Sequence, residues 1–167
     1  LIEVFSSSTC APCAPANTTF KNLMDAQTAG DYNYIKYQMS WPGTGDPYYT
    51  LEAAAKRQLY GVNSVPNAQI DGGWNGHAGQ ITQPILNGFK AVPSFMDLNG
   101  YYTIDATAQN VSMVINTTPL VTTSKTLSLQ VAIYEKSTTQ NVKSNGETVF
   151  YQVMKKSSDF FQLQFLG

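Results

Sequence analysis

The sequence predicts an α/β protein in which strands and helices alternate up to about residue 95 and an antiparallel β-rich stretch follows. Along the first half, β-prone segments alternate with helix-compatible segments. After Pro93 the apolar residues instead recur at every second position, which is the period of a half-buried strand. With 43% apolar residues in 167, the chain can bury a core of ordinary size.

The elements of the first half are delimited by capping and breaking residues. The predicted strands are 1–5, 34–39 and 67–71, and the predicted helices are 11–28, 51–60 and 80–90. Pro12 and Pro15 suit the first turn of the first helix, where a missing N–H costs little. Thr50 is a good N-cap for the second helix, and Gly61 is a stop signal behind it.

The second half is predicted to consist of strands. Alternating runs occupy Val111–Ile115, Leu127–Ile133, Val149–Val153 and Phe161–Phe165, and Asn, Thr, Ser or Gly residues set them apart. We therefore expect one domain over 1–95, with an irregular insertion near 40–50, and a small antiparallel β-module over 96–167.

Composition excludes several classes of function. With 10 Lys and Arg against 11 Asp and Glu, the chain has no cationic surplus for binding nucleic acid. Two Cys and one His cannot supply the four ligands of a structural zinc site, so no metal is expected. No apolar run approaches the roughly 20 residues of a membrane span, so membrane attachment would need an anchor outside this chain. Charged residues make up only 13%, which favours an exported protein.

Cys10 and Cys13 form a Cys-x-x-Cys motif between the first predicted strand and the first predicted helix. At a helix start the first sulfur lies over free backbone N–H groups at the positive end of the dipole, which stabilises a thiolate. The second cysteine, one turn later, can attack a mixed disulfide and release the bound partner. We predict Cys10 as the nucleophile and Cys13 as the resolving thiol, with a disulfide between them when oxidised.

A second motif stands directly before the third predicted strand. Residues 60–67 read Tyr-Gly-Val-Asn-Ser-Val-Pro-Asn, which resembles the stretch around the cis-proline of thioredoxin-fold proteins. X–Pro bonds are the peptide bonds at which the cis form is inexpensive. The resemblance implies that Pro66 is the cis-proline beside the dithiol. It also implies that Val65 offers its backbone N–H and C=O to an extended substrate.

The resemblance can be narrowed to exported, outer-membrane-associated thioredoxin-like proteins, in which a β-rich region follows the thioredoxin fold. It is carried by residues 1–10, 46–72, 129–135 and 145–156. It implies a thioredoxin-like first domain, with a central mixed sheet flanked by helices. The implied location is periplasmic, outer-membrane-associated or secreted.

The chain departs from thioredoxin at the expected general base. Thioredoxin has a buried Asp six residues before its first Cys, and Val4 occupies that position here. Glu3 and Lys36 are the remaining candidates, although Glu3 is offset by one residue and so points to the opposite face of its strand. Pro12 removes one N–H donor from the Cys10 thiolate. We therefore expect the pKa of Cys10 to lie nearer that of thioredoxin than that of strong oxidants.

The leading functional hypothesis is a thiol–disulfide oxidoreductase that acts on disulfides of exported proteins. It needs no dissociable cofactor, but a redox partner must regenerate the dithiol. The alternative is a redox-inactive binding or structural protein whose disulfide staples the scaffold. A copper site using His77 has little support, and a solvated loop is the preferred interpretation of that residue. Trp41 and Trp74 either cap the core or form a rim for substrate, and we favour capping.

Overall fold

The computed structural model describes residues 1–122, 127–158 and 161–163. The strands are β1 (Ile2–Ser6), β2 (Tyr34–Gln38), β3 (Asn67–Ile70), β4 (Trp74–Gly76), β5 (Met96–Asp105), β6 (Asn110–Pro119), β7 (Leu127–Leu129), β8 (Ala132–Thr138), β9 (Phe150–Ser157) and β10 (Phe161–Leu163). The helices are α1 (Cys13–Asp25), α2 (Leu51–Leu59) and α3 (Gln83–Lys90), with a 3₁₀ turn at Ala78–Gln80.

A mixed six-stranded sheet forms the centre of the molecule, in the order β4-β3-β1-β2-β9-β8. The β1–β2 and β2–β9 pairs are parallel, and the other neighbours are antiparallel. Two antiparallel two-stranded sheets, β5–β6 and β7–β10, complete the described strands. The protein is therefore an α/β protein with a central mixed sheet flanked by helices, and the predicted fold class is confirmed to that extent.

The two faces of the sheet carry separate apolar clusters, because alternate residues of β1 point to opposite sides. Val4 faces a cluster shared with α1 and α3, which consists of Ile2, Val4, Phe20, Met24, Ala68, Ile70, Ala78, Ile81 and Leu86. Phe5 faces the α2 side, where the cluster consists of Phe5, Ile35, Tyr37, Met39, Ala53, Val62 and Met154. The two clusters fix both flanking layers against β1, which leads directly to the cysteines.

Most predicted elements of the first half are present, with shifted ends. Thr50 caps α2, where its hydroxyl oxygen accepts a hydrogen bond from the Ala53 N–H at 3.1 Å. The first helix begins at Cys13 rather than at residue 11. The residues before it form a turn instead, which the Cys13 N–H closes by donating to the Cys10 carbonyl. None of the helices in the described residues is long and apolar enough to cross a membrane.

Strand pairing in the second half differs from the expected partition at residue 95. β8 and β9 join the central sheet, and β9 lies beside β2 with Val153 opposite Lys36. The β5–β6 hairpin stands apart, with almost all of its side chains exposed. Period-two alternation specifies that a segment is a strand but not which strand it pairs with. The last predicted run, Phe161–Phe165, is described only as far as Leu163.

Candidate redox site

The loop between β1 and α1 presents the two cysteines. The Cys10 N–H donates to the Ser7 carbonyl at 3.0 Å, and the Cys13 N–H donates to the Cys10 carbonyl at 3.0 Å. Pro12 is the residue directly before α1 and has no N–H to leave unpaired. Cys10 therefore lies just outside the N-terminal end of the helix, where the backbone partial charge is positive.

Cys10 and Cys13 are joined by a disulfide, with their Cα atoms 5.2 Å apart. The two residues are only 1% and 0% exposed, while Ala11 and Pro12 between them lie on the surface. The predicted pair is thus brought together in its oxidised form, beneath an exposed two-residue turn.

The structure also brings Val65 and Pro66 to the cysteines. The Val65–Pro66 bond is cis, as the resemblance implies. The carbonyl oxygen of Val65 lies 3.7 Å from the Sγ of Cys10. Val65 is half-buried and Pro66 is buried at the entry to β3. All four residues predicted for the site are therefore placed at one end of the sheet.

Glu3, one candidate general base, is engaged on the α2 side of the sheet. Its carboxylate accepts hydrogen bonds from the hydroxyls of Tyr37 at 2.8 Å and of Tyr60, and it pairs with Lys56 Nζ at 3.1 Å. Burial, followed by the proximity of Glu3, raises the pKa of both tyrosines. These partners account for both carboxylate oxygens, and they are not the cysteines.

Lys36, the other candidate, is buried on the opposite side, in register with Val4 on β1. Desolvation lowers the pKa of Lys36 to about 8, against the opposing influence of Glu147. Glu147 lies in the β8–β9 connection, where burial raises the pKa of its carboxyl. Buried Lys36 on β2 and half-buried Glu147 in the β8–β9 connection therefore influence each other electrostatically on the α1 side of the sheet.

Asn17 joins this buried pair to the helix that carries Cys13. Its Nδ2 donates to Ser6 Oγ at 2.9 Å and to both Glu147 carboxylate oxygens at 3.0 Å. Asn17 is 2% exposed and follows Cys13 by four residues, on the same buried helix face. Sequence analysis missed both Asn17 and Glu147, although an Asn on an otherwise apolar helix face was a usable signal for the first.

The loop before Cys10 is held by groups distant in sequence. The Asp46 carboxylate accepts from the Ser8 N–H at 2.9 Å and from Asn141 Nδ2 at 3.1 and 3.2 Å. The Asn145 backbone N–H donates to the Ser8 carbonyl at 2.9 Å, and its Nδ2 donates to the Ser7 carbonyl at 3.2 Å. The insertion and the β8–β9 connection thus fix the approach to the dithiol.

The aromatic candidates and the lone histidine have structural partners. Trp41 is half-buried against the α2-side cluster, with the Arg57 guanidinium 4.8 Å from its ring, and Trp74 packs against the α1-side cluster. His77 Nδ1 accepts a hydrogen bond from the Gly79 N–H at 3.2 Å and so caps the 3₁₀ turn. Within the described ranges, no cluster of three or more His, Cys, Asp or Glu residues could hold a metal ion.

Comparison with known proteins shows the fold and leaves the activity open. No protein-family model and no curated protein matches the sequence. A crystal structure of a protein from Agrobacterium tumefaciens, a structural genomics target, is similar with a TM-score of 0.63 at 16% identity. The similarity covers 94% of this chain and 70% of that one. At this level of identity the α/β fold is what the two proteins share.

Proposed function

We propose that the protein is a thiol–disulfide oxidoreductase with a thioredoxin-like fold, in which Cys10 and Cys13 form the redox centre. The observation that carries the proposal is the 3.7 Å approach of Cys10 Sγ to the Val65 carbonyl, beside a buried Pro66. The sulfur proposed as the nucleophile thus lies next to the backbone segment proposed to pair with an extended peptide, which supports the proposal. The parallel β1–β2 pair, the dithiol between β1 and α1, and Pro66 before antiparallel β3 support the thioredoxin-like fold.

In the proposed reaction the reduced protein transfers two electrons to a partner disulfide. The Cys10 thiolate attacks one partner sulfur, the partner S–S bond breaks, and the released partner thiolate takes up a proton. The Cys13 thiol then loses its proton and attacks Cys10 Sγ. The Cys10–Cys13 disulfide forms, and the second partner sulfur leaves and is protonated. A separate thiol donor restores the dithiol.

Substrates of this enzyme would be disulfides in exported proteins, presented as extended backbone along Val65. The low content of charged residues is consistent with an exported enzyme. The substrate sulfur must reach Cys10 past the exposed Ala11–Pro12 turn. The reactive surface is therefore confined to one end of the sheet.

One observation favours the second candidate function, a scaffold stapled by a structural disulfide. Cys10 and Cys13 are nearly inaccessible when oxidised, at 1% and 0% exposure. A reactive cysteine ordinarily has part of its sulfur exposed. In this interpretation the Cys10–Cys13 bond fixes the start of α1 and takes no part in exchange.

Trapping distinguishes the two functions. In a Cys13→Ser protein the attack by Cys10 cannot be resolved, so a mixed disulfide should accumulate with exported proteins of the producing cell. The adduct should disappear on reduction and should be absent from the matched Cys10→Ser, Cys13→Ser control. If the Cys13→Ser protein, shown to be folded, yields no reducible adduct, the enzymatic proposal is wrong and the staple remains.

A further inference from the structure

The side chain of Asn17 is satisfied on one side only. Its Nδ2 lies among three acceptors, Ser6 Oγ and the two Glu147 oxygens, which fixes the orientation of the amide. Its Oδ1 is buried and, among the residues that the structure describes, has no hydrogen-bond partner in the oxidised protein. An unsatisfied buried acceptor is destabilising and so calls for an explanation.

Asn17 lies one helical turn after Cys13 on the same buried face of α1. Residues four apart on a helix are neighbours, with Cβ atoms about 5–6 Å apart, and helical side chains lean toward the N-terminus. The amide of Asn17 therefore leans over the turn that begins with Cys13, on the shared buried face of α1. In the disulfide, Cys13 Sγ has no hydrogen to donate.

We propose that Asn17 is a positioning residue that stabilises the reduced dithiol, because its Oδ1 accepts a hydrogen bond from the Cys13 thiol once the disulfide is opened. When the separate thiol donor restores the dithiol, that donor loses two electrons and two protons, its own S–S bond forms, and the Cys10–Cys13 bond breaks. One of the two protons resides on Cys13 Sγ and is directed at Asn17 Oδ1. The inference concerns the redox balance of the proposed function and rests on it.

Two consequences follow for the site. The oxidised state carries the unpaired acceptor and the reduced state does not, so the amide shifts the equilibrium toward the dithiol. The hydrogen bond also favours the neutral thiol of Cys13 over its thiolate. Asn17 thereby leaves Cys10 as the sulfur that is charged and ready to attack.

The test compares Asn17→Leu with Ser6→Ala. The leucine side chain has a volume similar to that of asparagine but lacks Oδ1. Ser6→Ala instead removes the hydroxyl that accepts a hydrogen bond from Asn17 Nδ2, and it leaves Asn17 Oδ1 in place. The measured quantity is the equilibrium constant for reduction of the Cys10–Cys13 disulfide by glutathione. We expect this constant to be about tenfold lower in Asn17→Leu than in the wild-type protein, which is equivalent to about 30 mV in reduction potential. The constant for Ser6→Ala should match that of the wild-type protein. Equal constants for Asn17→Leu and the wild-type protein would overturn the inference, as would equal shifts in both variants.

A second measurement keeps Asn17 intact, in case Asn17→Leu does not fold. In a reduced Cys10→Ser protein, Cys13 is the single thiol, and its S–H stretching band should lie below the frequency of a free thiol. A band at the free-thiol frequency contradicts the proposal. Failure of this inference is distinguishable from failure of the proposed enzymatic function. The glutathione equilibrium and the S–H band do not require a protein partner, whereas the trapping experiment does.

Discussion

At the scale of single residues, the buried polar groups on the two faces of the central sheet form two sets with different roles. Glu3 faces α2 and is enclosed by Tyr37, Tyr60 and Lys56. Lys36 faces α1 and lies within the electrostatic influence of Glu147. The contacts of the first set hold α2 against the sheet, and the second set is connected through Asn17 to the helix that carries Cys13. Substitutions in the two sets should therefore affect different properties.

Replacing Glu3 should lower stability without changing the dithiol. Glu3→Leu leaves the two tyrosine hydroxyls and Lys56 without their shared acceptor, which should reduce the free energy of unfolding by about 3 kcal/mol. The equilibrium constant with glutathione should remain that of the wild-type protein. Denaturant unfolding measures the first quantity. A shift in the redox constant would show that Glu3 acts on the cysteines after all.

Lys36 should give stability an unusual alkaline dependence. Its pKa is lowered from 10.5 to about 8, so above pH 8 the unfolded chain binds more protons than the native protein. The contribution of Lys36 to stability should therefore rise by about 2 kcal/mol between pH 8 and pH 10, whereas the raised pKa values of Tyr37 and Tyr60 act in the opposite direction. Relative to Lys36→Met, the wild-type protein should gain this amount across the range, and so should Lys143→Met, which alters an exposed lysine. Urea unfolding of the oxidised proteins across this range tests it, and parallel profiles of the wild-type protein and Lys36→Met would contradict the account.

At the scale of elements, the β8–β9 connection acts as a clamp on the loop that precedes Cys10. Asn145 contributes two hydrogen bonds to carbonyls of that loop and one to Glu147. The connection contacts this loop through Asn145 and contacts α1 through Glu147. The clamp therefore couples the C-terminal strands to the candidate redox site.

Removing the clamp should loosen the loop selectively. Asn145→Ala should lower the free energy of unfolding by about 1–3 kcal/mol, because it removes the Nδ2 donor of the Ser7 carbonyl and of the Glu147 carboxylate. It should also accelerate amide hydrogen exchange at the Cys10 N–H, which bonds to Ser7 within the same loop. Asn22→Ala, on the exposed face of α1, is the matched control. Equal exchange rates in both variants would show that the loop is held by other groups.

Sequence patterns predicted individual helices, strands and local motifs better than the contacts between residues that are distant in sequence. The dithiol loop and the Thr50 cap were predicted because each depends on local chemistry, namely a helix start and a side-chain hydrogen bond. The cis bond before Pro66 was instead implied by the resemblance of residues 60–67 to thioredoxin-fold proteins. Glu147 was missed because its role arises from contact with Asn17, which is distant in sequence. No hydrophobic period or residue spacing in the sequence indicates such a contact, so the hydrogen bonds between Asn17 and Glu147 are visible only in the folded structure.

At the scale of the whole molecule, the central sheet is built from both ends of the chain. β9 is an internal strand between β2 and β8, and its Val153 and Met154 are almost completely buried. The β5–β6 hairpin intervenes in sequence but belongs to a separate sheet, with Met96 paired to Pro119 at its base. The alternating sequence pattern made these strands look like one module, although they contribute to different sheets.

This architecture predicts opposite outcomes for two deletions. A chain ending at residue 95 should fail to fold cooperatively, because it lacks β9, the buried partner of β2. Replacing the hairpin from Met96 to Pro119 by a short Gly-Ser linker should preserve cooperative unfolding, because the paired ends are adjacent and the strands are exposed. Circular dichroism with thermal melts distinguishes the two. A cooperative melt of the 1–95 chain would show that β8 and β9 are dispensable.

The most direct test of the central claim is the reduction potential of the Cys10–Cys13 pair, measured in glutathione or dithiothreitol buffers on the full chain. A working redox centre should have a potential between about −120 and −270 mV, within the range of known oxidoreductases. A potential well below about −300 mV would identify the bond as a structural staple and contradict the assignment of Cys10 as a nucleophile.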